Sequence, residues 1–260
     1  MANYIITATC KQVELLALAC NQAMRIHIGQ LADPLTVQLN FEIGYLRHHD
    51  GEPAPMEVQD KLEELSKLCW HNRSYGYGYD EISQEYWKLY QIFKGAESPL
   101  TSSTFQVTFH QLELLRKVCE QAARLRAGQL DYIFIDELMD AYHKGCVSEE
   151  QKSAQTSVRK QVVKTCENLH TLCWDLPPHA DHGMNYDGNS DIWWDMYQVF
   201  RYQIWKDTNP DTSSRELMTV ASHAPMHTGM EPLICIKELK INRKSKLKKC
   251  YGKRFNNVCY

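Results

Sequence analysis

The sequence predicts a helix-dominated α+β fold: a tandem duplication of a β-α-α-α unit, then a C-terminal strand and a basic tail. Two observations carry that expectation. First, Gln12–Leu31 and Gln111–Leu130 align without a gap and share eleven identities in twenty positions. Two further blocks follow in the same order. Lys61–Trp70 matches Thr165–Trp174 through its Leu-Cys-Trp ending, and Tyr79–Lys94 matches Tyr186–Arg201 through shared Tyr, Asp, Ser, Trp, Tyr, Gln and Phe. The offsets are 99, 104 and 107, rising as loop insertions would make them rise. Internal repeats of this kind define the architecture before any single element does. Second, helical periodicity dominates, and no alternating βαβ series with near-continuous apolar strands is visible. The blocks divide the chain into repeat unit 1 (1–95), repeat unit 2 (96–205) and an extension without a counterpart (206–260). The stretch "GAESPLTSST", rich in turn formers, marks the join.

Each unit opens on a short alternating segment, "YIITATC" or "TFQVTFH", whose period of two is that of a half-buried strand. A helix follows at once. Thr9 and Thr108 stand three residues before Gln12 and Gln111, the spacing of a capping box. On a helical wheel Val13, Leu16, Cys20 and Ala23 share one face, as do Leu112, Leu115, Cys119 and Ala122. That face is the expected core stripe. Gln22, Arg25 and Gly29 line its edge, and Gln121, Arg124 and Gly128 repeat the arrangement. Gly29 precedes Pro34, which favours a helix break. "GQLDYIFIDELMDAYH" holds no breaker, so the helix is expected to continue through Gly128. A second helix ends at Cys-Trp and a third carries the Trp and Tyr pairs. "PLICIKELKI" reads as one more strand, able to share a small sheet with the two opening strands.

Composition excludes several classes. Apolar residues make up 43% of 260, enough for a packed core. No apolar run reaches the roughly 18 residues a membrane span needs. "MANYIITATCK" lacks the basic start and apolar centre of a signal peptide, so the expected location is the cytoplasm. The ten cysteines form no CxxC pair, and they read as reduced core residues rather than a disulfide or zinc framework. A Cys250–Cys259 pair stays open. The net charge of −3 hides an asymmetry: Lys237–Arg254 holds nine Lys or Arg against Glu238 alone, leaving 20 basic and 31 acidic residues elsewhere. A basic tail can meet nucleic acid, an acidic partner or the chain's own acidic body.

The candidate ligand-binding residues are the polar and aromatic ones that recur in both units. They are Gln22, Arg25, Gln30, Trp87 and Tyr90 in the first, and Gln121, Arg124, Gln129, Trp194 and Tyr197 in the second. An arginine can grip a phosphate or carboxylate with two hydrogen bonds, or can close an internal ion pair with an acid such as Glu42 or Glu137. The glutamine amides can read a base or sugar edge, or bond helix to helix. Trp87, Tyr90 and Lys94 share a helical face, where aromatics pack a core or stack on a flat ligand. The loop Asn72–Glu81, rich in Tyr and Gly, has the composition of an adaptable surface. His179, Asp181 and His182, with His223 and His227, are candidate metal ligands, although Pro225 interrupts the last pair. No GxSxG, HExxH, Rossmann or P-loop pattern is present. No catalytic group, metal or cofactor is therefore assigned.

The short strand followed by a Leu-rich helix ending R-x-x-x-G-Q-L resembles small uncharacterised proteins encoded by bacteriophages. The residues are Arg25, Gly29, Gln30 and Leu31, with Arg124, Gly128, Gln129 and Leu130. Those proteins look like one copy of the unit, and here two are fused. The resemblance spans the first third of each unit and leaves out the Cys-Trp and Tyr-Trp blocks. It implies a phage accessory protein. Some compact phage proteins counter bacterial immunity by sequestering cyclic or ADP-ribose-like signalling nucleotides, and others bind a defence protein directly. The expected function is accordingly non-enzymatic sequestration of a small nucleotide-like ligand. Two alternatives stand beside it. One is a protein-interaction inhibitor using the acidic body or basic tail. The other is an enzyme using the His179/Asp181/His182 region. No membrane partner is expected, nucleic acid is not favoured, and the copies can pack within one chain or across a homo-oligomer.

Overall fold

The computed structural model describes residues 3–31, 56–70, 80–96, 102–130, 132–134, 149–174, 188–209 and 222–239. Within them the elements run β1 (Asn3–Ala8), α1 (Cys10–His27), α2 (Met56–Trp70), α3 (Glu81–Lys94), β2 (Ser103–Thr108), α4 (Phe109–Arg126), α5 (Glu149–Trp174), α6 (Gly188–Thr208) and β3 (Cys235–Glu238). The architecture is helix-dominated α+β, as the sequence predicts. None of the described helices is long and apolar enough to cross a membrane.

The strands form one antiparallel sheet in the order β2-β1-β3. β1 alternates as expected: Tyr4, Ile6 and Ala8 are buried against the helices while their neighbours are half-exposed. In β2 the inward residues are Phe105 and Val107, and Thr104 and Gln106 face solvent. The register pairs Ile6 with Phe105, the residue 99 further along, which is also the offset between the first helix blocks. β3 adds to the other side of β1 and sets Ile236 opposite Ile6.

Both strand-to-helix junctions are capping boxes. The Thr9 hydroxyl accepts from the Gln12 amide at 3.2 Å, and the Thr9 amide donates to the Gln12 side chain at 2.9 Å. Thr108 and Gln111 repeat both bonds at 3.2 and 2.9 Å. Such a box satisfies two amides at the strand–helix corner and fixes the chain's exit angle. The sheet therefore sets where α1 and α4 point.

α1 packs against α3, α4 against α6, α1 against α4, and α2 against α5. Two cores result. The larger lies under the sheet and takes in the predicted stripes, Cys20 and Cys119 included. Trp193 is fully buried there and its indole N–H donates to the Leu15 carbonyl at 2.9 Å, tying α6 to α1. The smaller core lies between α2 and α5 and is closed by Leu31 and Leu130 from the ends of the first block. Burying each of those leucines contributes about 1.5–3 kcal/mol.

The helix ends differ from the sequence expectation in one respect. Gly29 has φ of 77° and Gly128 has φ of 84°, so both stand in the left-handed region. The Gly29 amide donates to the Ile26 carbonyl and the Gln30 amide to that of Arg25; Gly128 and Gln129 do the same to Leu125 and Arg124. These are paired Schellman caps. The helix does not continue through Gly128 as its neighbours' helix propensity implies. A fresh helical turn starts at Leu130 instead, which buries Leu130, Ile133 and Phe134 in the smaller core.

Residues 222–239 strap the two halves together. Asp195 of α6 accepts from the Thr228 amide and hydroxyl and from the Gly229 amide, at 2.6 to 3.1 Å. Gln198 exchanges two hydrogen bonds with the backbone of Met226. Further along, Thr9 donates to Glu231 at 2.7 Å and Gln12 donates to the Pro232 carbonyl at 2.6 Å. The strap thus runs from α6 to the start of α1 before it enters the sheet.

Candidate functional site

Of the recurring residues, Arg124, Gln129, Trp194 and Tyr197 come together in the second half. In the second half the cluster centres on Glu120, whose side chain is 6% exposed. Its carboxylate accepts from Arg116 Nη1 at 3.1 Å, from Arg124 Nε at 3.2 Å and Nη2 at 3.1 Å, and from the Tyr132 hydroxyl at 3.0 Å. Arg124 also donates Nη1 to Gln129 Oε1 at 2.7 Å. Its guanidinium lies over the Tyr132 ring, 3.8 Å from the centroid, with Trp194 at 5.9 Å. Arg201 approaches the face of Tyr197, and Trp194 packs beside Tyr197 at a ring separation of 4.7 Å. Burial pushes the Tyr197 phenol above its ordinary value and Glu120 adds to the shift, against the pull of Arg116, Arg201 and Arg124.

The local sequence explains the cluster. Glu120 stands four residues after Arg116 and four before Arg124, so the three share one helix edge. The Schellman cap then turns the chain back, and Gln129 returns to Arg124. The motif R-x-x-x-G-Q-L is therefore first a helix stop: Arg supplies the carbonyl, Gly the left-handed turn, Gln the returning amide, and Leu the contact with the smaller core. The ion pair expected for Arg124 is present, but its acid is Glu120. Glu42 and Glu137 lie outside the described residues.

In the first half the corresponding positions carry different chemistry. Arg25 donates Nε to Asn21 Oδ1 at 3.3 Å. Asn21 occupies the place of Glu120, and Ala17 that of Arg116. Trp87 and Tyr90 pack at 5.2 Å, and the Lys94 ammonium lies 5.3 Å from the Tyr90 centroid. Lys94 thus takes the place of Arg201. Trp87, Tyr90 and Trp194 are half-buried at the margin of the larger core, while Tyr197 is buried within it. The side chains of Trp70 and Trp174 lie outside the description.

Gln22 departs from its expected place at the edge of the stripe. It is 4% exposed, and neither its Nε2 nor its Oε1 has a hydrogen-bond partner. Helix-to-helix bonding, one of its two expected roles, is not what it does. An unsatisfied buried amide of this kind costs roughly 1–3 kcal/mol. Gln121, 99 residues on, is only part-buried. Gln30 is part-buried beside its cap.

Seven cysteines are described and none of them is in a disulfide. Burial raises Cys69 and Cys173 to about 12, and it raises Cys20 and Cys119 as well, with Cys20 adding to the shift on Cys119. These thiols stay protonated, which fits packing rather than nucleophilic chemistry. Cys250 and Cys259 lie outside the described residues. So do His179, Asp181 and His182. His223 and His227 are exposed; the ring of His227 contacts the Glu231 carbonyl, and the His223 carbonyl accepts from Arg201 at 2.9 Å. Among the described residues no group of three or more His, Cys, Asp or Glu side chains could hold a metal. The basic tail beyond residue 239 and the loop from Asn72 to Tyr79 also lie outside them.

Sequence reasoning missed Arg116, Glu120, Tyr132 and Arg201 as members of the cluster. The signal was present for the first two, as oppositely charged residues four apart. Tyr132 could be found only by knowing that the chain reverses at Gly128. Comparison of the chain with known protein families, curated proteins and solved structures returns no match.

Proposed function

We propose that the protein is a non-enzymatic binding protein, built from two fused β-α-α-α units about an approximate two-fold axis, that sequesters a nucleotide-derived signal. Pairing of Ile6 with its own counterpart Phe105 is what such an axis through the ladder requires. The matching capping boxes and Schellman caps support the same relation.

One observation carries the ligand chemistry. Glu120 is an anion held by two guanidiniums at a site walled by Tyr132, Trp194 and Tyr197. A guanidinium that grips an oxyanion beside flat aromatic faces is the arrangement a nucleotide needs, with the phosphate on the arginine and the base against a ring. The phage anti-defence setting rests on the resemblance of the R-x-x-x-G-Q-L stretch alone. The ligand class is a cyclic nucleotide or an ADP-ribose-like molecule.

The test is recovery. The purified full chain is incubated with a panel of cyclic dinucleotides, cyclic ADP-ribose and ADP-ribose, freed of unbound material and heat-denatured. The supernatant is then read by mass spectrometry. Intact nucleotide from at least one panel member is expected, since sequestration leaves the ligand unchanged. Recovery of none from the whole panel, or of a hydrolysed product only, overturns the proposal.

A further inference from the structure

The second-half cluster holds more positive charge than its own acid balances. Arg116 and Arg124 share the single carboxylate of Glu120. A third guanidinium, that of Arg201, lies 5.8 Å from the Tyr197 ring centroid. No acid among the described residues pairs with Arg201. Its Nη2 donates to the His223 carbonyl at 2.9 Å, and its Nε is buried without a hydrogen-bond partner. Three positive charges against one negative leave a formal surplus of two. The first half has Ala17 at the position of Arg116, so packing of the duplicated unit does not require that arginine.

The contacts run without a gap from one end of the cluster to the other. The Arg124 guanidinium lies 5.9 Å from the Trp194 ring, Trp194 packs on Tyr197 at 4.7 Å, and Tyr197 carries Arg201 on its face. α4 and α6, which supply these residues, pack along one another. Glu120, Arg116, Arg201 and Arg124 all act on the Tyr197 phenol, which makes it their common neighbour. The Tyr197 hydroxyl makes no hydrogen bond among the described residues.

What is left unbonded here can donate: Arg201 Nε, the Tyr197 hydroxyl and the remaining N–H groups of Arg116. The Glu120 carboxylate already accepts from Arg116, Arg124 and Tyr132. A place with spare donors and two spare positive charges complements a compact dianion whose oxygens only accept. A pyrophosphate bridge sets two negative charges on adjacent phosphates. A cyclic dinucleotide has two as well, but it separates them across its ring.

We infer that the cluster of Arg116, Arg124, Arg201 and Tyr197 is a pyrophosphate site, and that the ligand is of the ADP-ribose class rather than a cyclic nucleotide. This rests on the nucleotide-binding reading above and narrows its ligand.

The experiment is titration calorimetry of the full chain with ADP-ribose, inorganic pyrophosphate and cyclic di-AMP, with thermal melting of each unliganded variant in parallel. ADP-ribose is expected to bind, pyrophosphate to compete with it, and cyclic di-AMP to bind at least about tenfold more weakly than ADP-ribose. Tyr197→Phe removes a hydroxyl that bonds to none of the described residues, so it should melt as the wild type does yet bind ADP-ribose at least about tenfold more weakly. Arg201→Gln should lose at least about tenfold as well. If that variant melts lower through loss of the His223 contact, Tyr197→Phe alone decides. Arg159→Gln, at an exposed arginine of α5, should bind as the wild type does. Wild-type affinity in Tyr197→Phe, an equal loss in Arg159→Gln, or cyclic di-AMP binding as tightly as ADP-ribose each overturns the assignment. If cyclic di-AMP binds while ADP-ribose and pyrophosphate do not, the assignment falls and the nucleotide-binding reading stands. If none of the three binds, the assignment falls, and recovery across the wider panel decides whether the broader reading falls with it.

Discussion

Substituting Gly128 with alanine gives a stability change whose sign depends on the backbone at that position. With φ of 84° an alanine Cβ crowds the adjoining carbonyl, at a cost of about 1–2 kcal/mol. Restricting the unfolded chain returns about 0.4–1 kcal/mol. The net expectation is a loss of about 1 kcal/mol, or a melting temperature lower by about 2–4 °C for a chain of this size. A helix running straight through Gly128 gives the opposite. There, alanine in place of glycine gains about 0.8–1 kcal/mol, and the melting temperature rises. Thermal denaturation followed by far-UV circular dichroism separates the two. Gly128→Asn serves as the control, since asparagine tolerates the left-handed region and should lose less. Gly29→Ala, at φ of 77°, should follow Gly128→Ala. A Gly128→Ala variant that melts above the wild type refutes the Schellman assignment and the placement of Gln129 against Arg124 with it.

Two further outcomes follow from named contacts. Asp195→Asn removes charge from the acceptor of three donors in the strap and should cost about 1–2 kcal/mol, with faster hydrogen exchange at the Thr228 and Gly229 amides as the local readout; unchanged exchange there would refute the anchoring role. The Asp80 carboxyl caps α3 and lies 2.6 Å from His27 Nε2; burial works against its charged form, but the Ser83 amide and His27 outweigh burial and hold it below its ordinary value of 3.8. A depressed carboxyl contributes stability above its unfolded value and loses it as pH falls through the folded one. The melting-temperature gap between wild type and Asp80→Asn should therefore be widest near neutrality and close as pH falls below 3.8 through the lower folded-state value. A gap that widens on acidification would refute that linkage.

Much of the frame was legible because it is local. Period-two strands, Thr-x-x-Gln caps and the stripes through Cys20 and Cys119 each depend on a few neighbouring residues, and all lie where the spacing puts them. What was not legible depends on tertiary contact. A wheel treats α1 as buried on one side, which places Gln22 at a border. In the fold α1 meets α3, α4 and α6, and Gln22 lies inside. Gly128 is followed by good helix formers, so propensity favours continuation. The gain from burying Leu130, Ile133 and Phe134 in the smaller core decides for the turn. The sequence likewise offered several acids for Arg124, and only the i−4 geometry of Glu120 singles one out.

The R-x-x-x-G-Q-L stretch therefore does two things with one set of residues, and this limits which variants can speak to function. The Gln129 amide caps the helix at the Arg124 carbonyl while its side chain meets the Arg124 guanidinium. Replacing Gly128 frees the cap and displaces the arginine together, so lost affinity in that variant does not separate ligand contact from fold. Gln22 stands outside the cap, one turn before Arg25. Gln22→Leu removes an amide that has no hydrogen-bond partner in the protein. A variant that stabilises the free protein and weakens the complex cannot be explained by damage to the fold, which is why the sign at Gln22 carries more weight than the size of any single loss.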